Sequence, residues 1–281
     1  MKLLRYGDEN DEKWGVLDAH AAIRTLDDAL VHVTGDELSP GWLDQLLQLD
    51  PEKLPLLKTE RRIGPCIKRP LNFVCVGLNY ADHAAETGGK IPKEPILFLK
   101  SVSAFCGPYD GIVIPPGSVK TDWEVELGVV IGSKAQRVSE ANALDYVAGY
   151  CVVNDVSERE YQTERGGQWD KGKGCDSFGP VGPYLVTKDE VRDPQDLALW
   201  TEVDGERRQN GTTANMIFGV KALVSYVSQF FTLHPGDIIA TGTPAGVGMG
   251  AKPEPVFLRP GQLVVVGIDG LGEQKSRTEG G

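Results

Sequence analysis

The stretch DWEVELGVVIG, residues 122–132, limits what this chain can build. Trp123, Val125, Leu127 and Val129 alternate with Glu124 and Glu126. A period of two marks a strand, with successive side chains on opposite faces. The continuation GVVIG is almost wholly apolar, which predicts a central strand. Two carboxylates on one face of such a strand repel each other. Burying them unpaired costs on the order of several kcal/mol each. A positive group between them is therefore expected.

The rest of the chain supplies more strands than helices. It holds 34 glycines and 18 prolines in 281 residues, which points to many turns and short strands. KLLRYG and KWGVLDA read as strands joined at GDEND. SPGWLDQLLQLDPEKLP reads as a helix capped by Ser39, with Pro40 in its first turn and Pro51 ending it. LKTERRIGPCIKRP reads as a linker, so the expected division is a small unit over 1–70 and a larger one over 71–281. In the larger unit, NFVCVGLN is a buried strand and PILFLK a strand. GIVIPPG is an edge, because Pro115 and Pro116 cannot serve a central ladder. LALWTEVDGERRQNG is a hairpin with a DG turn. The longest amphipathic helix runs from about Val220 to Phe231. Strands and helices do not alternate regularly, so the fold class is α+β and β-rich.

Composition narrows the function classes. Twenty-nine basic against 40 acidic residues leave a net charge of −11, which argues against nucleic acid and anionic membranes as partners. No stretch resembles a signal peptide or a membrane span. Cys66, Cys75, Cys106, Cys151 and Cys175 are odd in number and never in a CxxC pair, so they read as reduced thiols in a cytoplasmic protein.

Residues two apart on a strand lie about 6.6 Å apart along it, so Glu124 and Glu126 can converge on one cation. Asp155 follows the apolar run AGYCVVN at the point where the chain turns polar, and is a third candidate ligand. Three carboxylates would leave about three of six octahedral positions open on Mg²⁺ or Mn²⁺. The alternative is an edge strand with both glutamates in solvent. His83 and Glu86 stand three apart in NYADHAAE, one face of a helix, as a general base and its orienting carboxylate would. A surface pair is the alternative. Arg159 and Gln162 are three apart in SEREYQ, where an arginine could clamp a carboxylate. GQWDKGKG fails as a phosphate loop, since Gly174 replaces the metal-binding hydroxyl and no strand precedes it. Its Lys173 sits between glycines, suited to close approach of a ligand. In TGTPAGVG, Thr243 could donate to a carboxylate, while GVGMG has no following helix for a dinucleotide.

These pieces occur together and in one order. With VGLNYADHAAE, EPILFLKSVSA, DWEVELGVVIG, VAGYCVVNDVSERE, GKGCDSFGPVGPYLV and DIIATGTPAGVG, the chain resembles the fumarylacetoacetate hydrolase family from about residue 71 to 270. The resemblance implies a mixed β roll or barrel, commonly a homodimer, acting on a small-molecule diketo acid. It implies a divalent metal, usually Mg²⁺, on Glu124, Glu126 and Asp155, with Mn²⁺ as the substitute. It places the catalytic histidine and its partner on His83 and Glu86, and substrate contacts on Arg159, Gln162, Lys173 and Thr243. Blocks such as KTDWEVELGVVIG and ERGGQWDKGKGCD look most like the branch that hydrolyses 2,4-diketo-3-deoxy sugar acids of the L-rhamnonate and L-fuconate type. Acylpyruvate and fumarylpyruvate hydrolases, an oxaloacetate decarboxylase and a non-catalytic metal-binding protein are the alternatives.

Overall fold

A computed structural model describes residues 1–86 and 88–281. Its main strands are β1 (Lys2–Tyr6), β2 (Lys13–Leu17), β3 (Ile23–Thr25), β4 (Phe73–Gly77), β5 (Ile96–Leu99), β6 (Ile112–Ile114), β7 (Val125–Ile131), β8 (Val147–Asn154), β9 (Leu185–Thr187), β10 (Ala198–Val203), β11 (Glu206–Thr212), β12 (Ile238–Ala240), β13 (Leu263–Ile268) and β14 (Gly272–Gly280). They form a nine-stranded sheet in the order β3-β2-β1-β9-β8-β7-β12-β4-β5, and a five-stranded sheet in the order β11-β10-β13-β14-β6. The fold is thus α+β and β-rich.

β7 lies inside the larger sheet, antiparallel to both β8 and β12. Its odd-numbered residues Val125, Leu127, Val129 and Ile131 join one core with Val264 and Val266 of the second sheet and with Leu223 and Val227. The latter two belong to the helix Val220–Phe230, which ends one residue before the sequence estimate. On the opposite face, Val130 joins a second core with Trp42, Leu43 and Leu46. Both faces are covered, as the apolar run GVVIG requires.

The second core is closed by α1 (Pro40–Leu47). Ser39 caps it by accepting the N–H of Trp42 at 3.3 Å. The helix stops at Leu47, ahead of Pro51, because Asp50 accepts the N–H of Glu52 and starts a separate turn at Pro51–Lys53. β1 pairs with β9 through Leu3 and Leu185. The larger sheet and the second core thus draw on residues from both sides of residue 70.

Local turn chemistry follows the residues. Asp204 and Gly205 both take positive φ, 51° and 80°, as the tight β10–β11 turn needs. β6 is an edge, ahead of Pro115 and Pro116. All five cysteines are free. Among the described residues, no helix is long and apolar enough to cross a membrane.

Candidate active site

The site grows from the entry to β7. Glu126 pairs with Val153 of β8, and Val125 with Asn154, so the residue after β8 lies beside the one before β7. The Asp155 N–H donates to the Glu124 carbonyl at 2.9 Å. The Glu124 N–H in turn donates to the Asn154 side chain at 3.1 Å. One carboxylate oxygen each from Glu124, Glu126 and Asp155 lie within 4.8 Å of one another, and all three residues are buried. A fourth carboxylate, Asp122, is fully buried one step back on the same face.

Three cations meet this cluster. The Lys173 ammonium lies 2.7 Å from Glu124 Oε2 and 2.7 Å from Asp155 Oδ2. Arg159 reaches Glu124 Oε1 at 2.7 Å and Asp122 Oδ2 at 2.8 Å. Lys100 stands 2.7 Å from Asp155 Oδ1. It also donates to the carbonyls of Val156 and Lys173. Glu126 accepts the N–H of Gly242 at 2.9 Å. Burial pushes the Glu124 carboxyl up, but Lys173 and Arg159 outweigh it and hold the group at about 2. Glu126 moves the other way. Burial, then the charges of Asp155 and Glu124, push it well above the usual carboxylate range. Burial lowers Lys173 and Arg159, yet their carboxylate partners raise both overall.

This donor set fits a divalent cation. All three candidate ligands offer hard oxygens, and the cluster has four carboxylates against three cations. A cation already stands between two of the ligands, namely the Lys173 ammonium.

The helix α2 (Ala81–Glu86) follows β4 and carries His83 and Glu86. His83 Nδ1 is 3.5 Å from Glu86 Oε2. Both Glu86 oxygens accept the Gly246 N–H, at 3.0 and 3.1 Å, which fixes the carboxylate from the far side. His83, Glu124, Glu126, Arg159, Gln162, Lys173 and Thr243 line one cavity of 120 Å³. Val76, Leu78, Phe98, Trp169 and Met249 form its apolar wall. A larger cleft of 630 Å³ lies beside Arg5 and Arg62. There Arg5 pairs with Glu12, and Arg62 with Glu12 and Asp110.

Several of these side chains also bond within the protein. Arg159 clamps the chain's own Asp122 and Glu124, and donates to Gln162 Oε1 at 3.0 Å. The Thr243 hydroxyl donates to the Val125 carbonyl at 2.9 Å and accepts from Gln209 at 2.7 Å. Gly172 permits close approach to protein, not to a ligand. A Cβ there would strike the Glu158 carbonyl and lie 2.5 Å from the Gln162 nitrogen. That contact seats the helical turn Asp170–Lys173 and lowers Lys173 into the cluster.

Sequence reasoning missed Asp122 and Lys100. Asp122 shares the parity of Glu124 and Glu126, which was a usable signal. It accepts N–H groups from Gly248 at 2.6 Å and Met249 at 3.0 Å, and so ties the glycine-rich loop to Arg159. Lys100 ends an apolar strand, and nothing local marks it as buried.

Comparison with known proteins decides the family. A sequence model described as fumarylacetoacetate (FAA) hydrolase, C-terminal, matches residues 72–278. The chain belongs to the fumarylacetoacetate hydrolase family. A Burkholderia ambifaria protein with a provisional hydrolase name is 63% identical over 278 residues, covering 99% of each chain. The fumarylacetoacetate hydrolase from Exiguobacterium antarcticum matches in structure with a TM-score of 0.84 and 35% identity, covering 100% of both chains. A 2-hydroxyhepta-2,4-diene-1,7-dioate isomerase from Mycobacterium marinum matches with a TM-score of 0.77 and 31% identity, over 100% of this chain and 98% of that one. This family member thus has near-full-length relatives named both as hydrolases and as isomerases.

Proposed function

We propose that this chain is a divalent-metal-dependent hydrolase that cleaves the C3–C4 bond of a 2,4-diketo acid. The products are pyruvate and a carboxylic acid. The proposed substrate is a 2,4-diketo-3-deoxy sugar acid of the L-rhamnonate or L-fuconate type, giving a hydroxy acid. Mg²⁺ is the proposed metal, a homodimer the proposed assembly and the cytoplasm the proposed location. The observation that carries the reading is the convergence of His83, Glu124 and Glu126 on one cavity, with Asp155 completing an acidic triad behind them.

A divalent metal held by Glu124, Glu126 and Asp155 would supply Lewis acidity and an anchor for the substrate's C1 carboxylate and C2 oxygen. His83 takes a proton from water, and Glu86 holds the imidazole in orientation. The resulting hydroxide adds to the C4 carbonyl. Lys173 carries three N–H donors and spends two on Glu124 and Asp155, so one remains for the C4 oxyanion. Breaking C3–C4 leaves the electron pair on the pyruvate fragment, which a proton at C3 quenches. The proton drawn from water balances that gain.

The test is pyruvate release coupled to lactate dehydrogenase, with Mg²⁺ and with EDTA. Substrates are the two deoxy sugar acids, acetylpyruvate, fumarylpyruvate and oxaloacetate. Mg²⁺-dependent release that is fastest from a deoxy sugar acid supports the reading. Release from oxaloacetate alone would make the site a decarboxylase, with no water-activating role for His83.

A further inference from the structure

The charged groups of the cavity have a fixed census. Asp122, Glu124, Glu126 and Asp155 carry four carboxylates. Lys100, Arg159 and Lys173 carry three ammonium or guanidinium charges, and each lies within 2.8 Å of at least one of those carboxylates. Glu86 stands outside this cluster, against His83 and the Gly246 N–H. A divalent ion at the triad would leave balance for about one substrate carboxylate, at the metal. A second carboxylate further out would need its own cation.

The outer wall holds none among the described residues. Of the basic residues lining the cavity, Arg159 and Lys173 face the acidic cluster and His83 faces Glu86. The rest of the lining is apolar in Val76, Leu78, Phe98, Trp169 and Met249, and polar but uncharged in Gln162, Thr163 and Thr243. Trp169 packs edge-on against Phe98 at 5.4 Å, and a Cβ on Gly77 would fall 2.5 Å from the indole, so that part of the wall is closely packed. The Lys173 ammonium lies 5.1 Å from the Phe98 ring centroid, which places the apolar wall directly beside the cluster. The nearby Arg165 is paired to Glu160 at 2.7 Å on the exposed side.

We propose that the site selects monoanionic 2-oxo acids: one carboxylate at the metal end and an uncharged distal group on the Leu78–Phe98–Trp169–Met249 wall. This rests on the hydrolase reading for the placement of the carboxylate at the metal. It goes beyond that reading by excluding dicarboxylates, such as oxaloacetate, fumarylpyruvate or a heptadienedioate, as preferred ligands. A charge left uncompensated in a buried apolar pocket is strongly disfavoured, whereas a neutral chain gains from burial.

The experiment is calorimetric titration of the Mg²⁺-loaded full chain with two acids of matched shape. One is 2-oxoglutarate; the other is 5-methyl-2-oxohexanoate, in which an isopropyl group replaces the distal carboxylate. The alkyl acid is expected to bind at least about tenfold more tightly. Equal or tighter binding of 2-oxoglutarate overturns the proposal, and so does a failure of both acids to bind. Tighter binding of the alkyl acid with no diketo acid cleaved sinks the hydrolase reading and leaves the monoanion site standing. Met249→Arg should restore the missing cation and reverse the preference, with Leu78→Arg as a second placement should the first not fold. An unchanged preference in a folded variant of both positions overturns the assignment.

Discussion

The backbone N–H of Asp155 donates to the carbonyl of Glu124 at 2.9 Å, so the spacing of these two carboxylates is set by main chain. The Glu124 N–H returns a bond to Asn154 at 3.1 Å. The antiparallel pairing of β7 and β8 thus delivers a like-charged pair that repulsion alone would separate. Lys173 and Lys100 then neutralise Asp155 from two sides.

Glu126 is the carboxylate with the least help, and its pKa is pushed up by burial and by Asp155 and Glu124. A carboxyl whose folded pKa exceeds its unfolded value favours the folded state while protonated. That advantage is lost as pH rises from the ordinary carboxylate range through the raised value. Thermal unfolding in EDTA should therefore show stability falling with rising pH, and Glu126→Gln should flatten that slope. The same variant should lose Mg²⁺ binding by calorimetry. Retained Mg²⁺ affinity would remove Glu126 from the ligand set.

His83→Ala and Lys173→Ala should fold and be nearly inactive. Loss of one positioned oxyanion donor costs about 10²–10³ in kcat, and loss of the base is of similar order. The coupled pyruvate assay measures both, with circular dichroism as the fold control. Wild-type turnover in either variant rejects the role given to that residue.

Lys100→Met leaves Asp155 Oδ1 buried without its cation. Removing one partner of a buried ion pair typically costs about 3–5 kcal/mol. Urea unfolding should show a loss of that order. A change below about 1 kcal/mol would mean that Lys173 alone suffices for Asp155.

Gly242 has φ of +94°, and a Cβ there would sit 2.8 Å from the Asn79 Cβ and 3.0 Å from the Val76 carbonyl. Gly242→Ala should destabilise by more than about 1 kcal/mol. It should also weaken Mg²⁺ binding, because the Gly242 N–H is what orients Glu126. Undiminished metal affinity in the folded variant would show that Glu126 needs no such support.

Much of this was legible in the chain. The period of two in DWEVE put Glu124 and Glu126 on one face, and the DG hairpin and the Ser39 cap are local facts that packing left alone. Asp122 was overlooked because the aspartate reads as the polar start of a strand. Its meaning comes from Arg159, Gly248 and Met249, up to 127 positions away. Lys100 looks like solvated punctuation after PILFL, and becomes a buried ion only when residues 155, 156 and 173 close around it. The placing of β1 beside β9 was also hidden, since strand order across 180 residues leaves no periodic trace.

β7 is flanked by β8, which follows at once, and by β12, which arrives a hundred residues later with Gly242 just behind it. On a ribosome adding about 5–20 residues per second, Glu126 is therefore made several seconds before its hydrogen-bond partner exists. Through that interval the nascent chain carries an acidic strand with one neighbour missing. Any chaperone or truncation that acts between the emergence of residues 155 and 242 meets a chain that has Glu124, Glu126 and Asp155 but not the Gly242 N–H that holds Glu126.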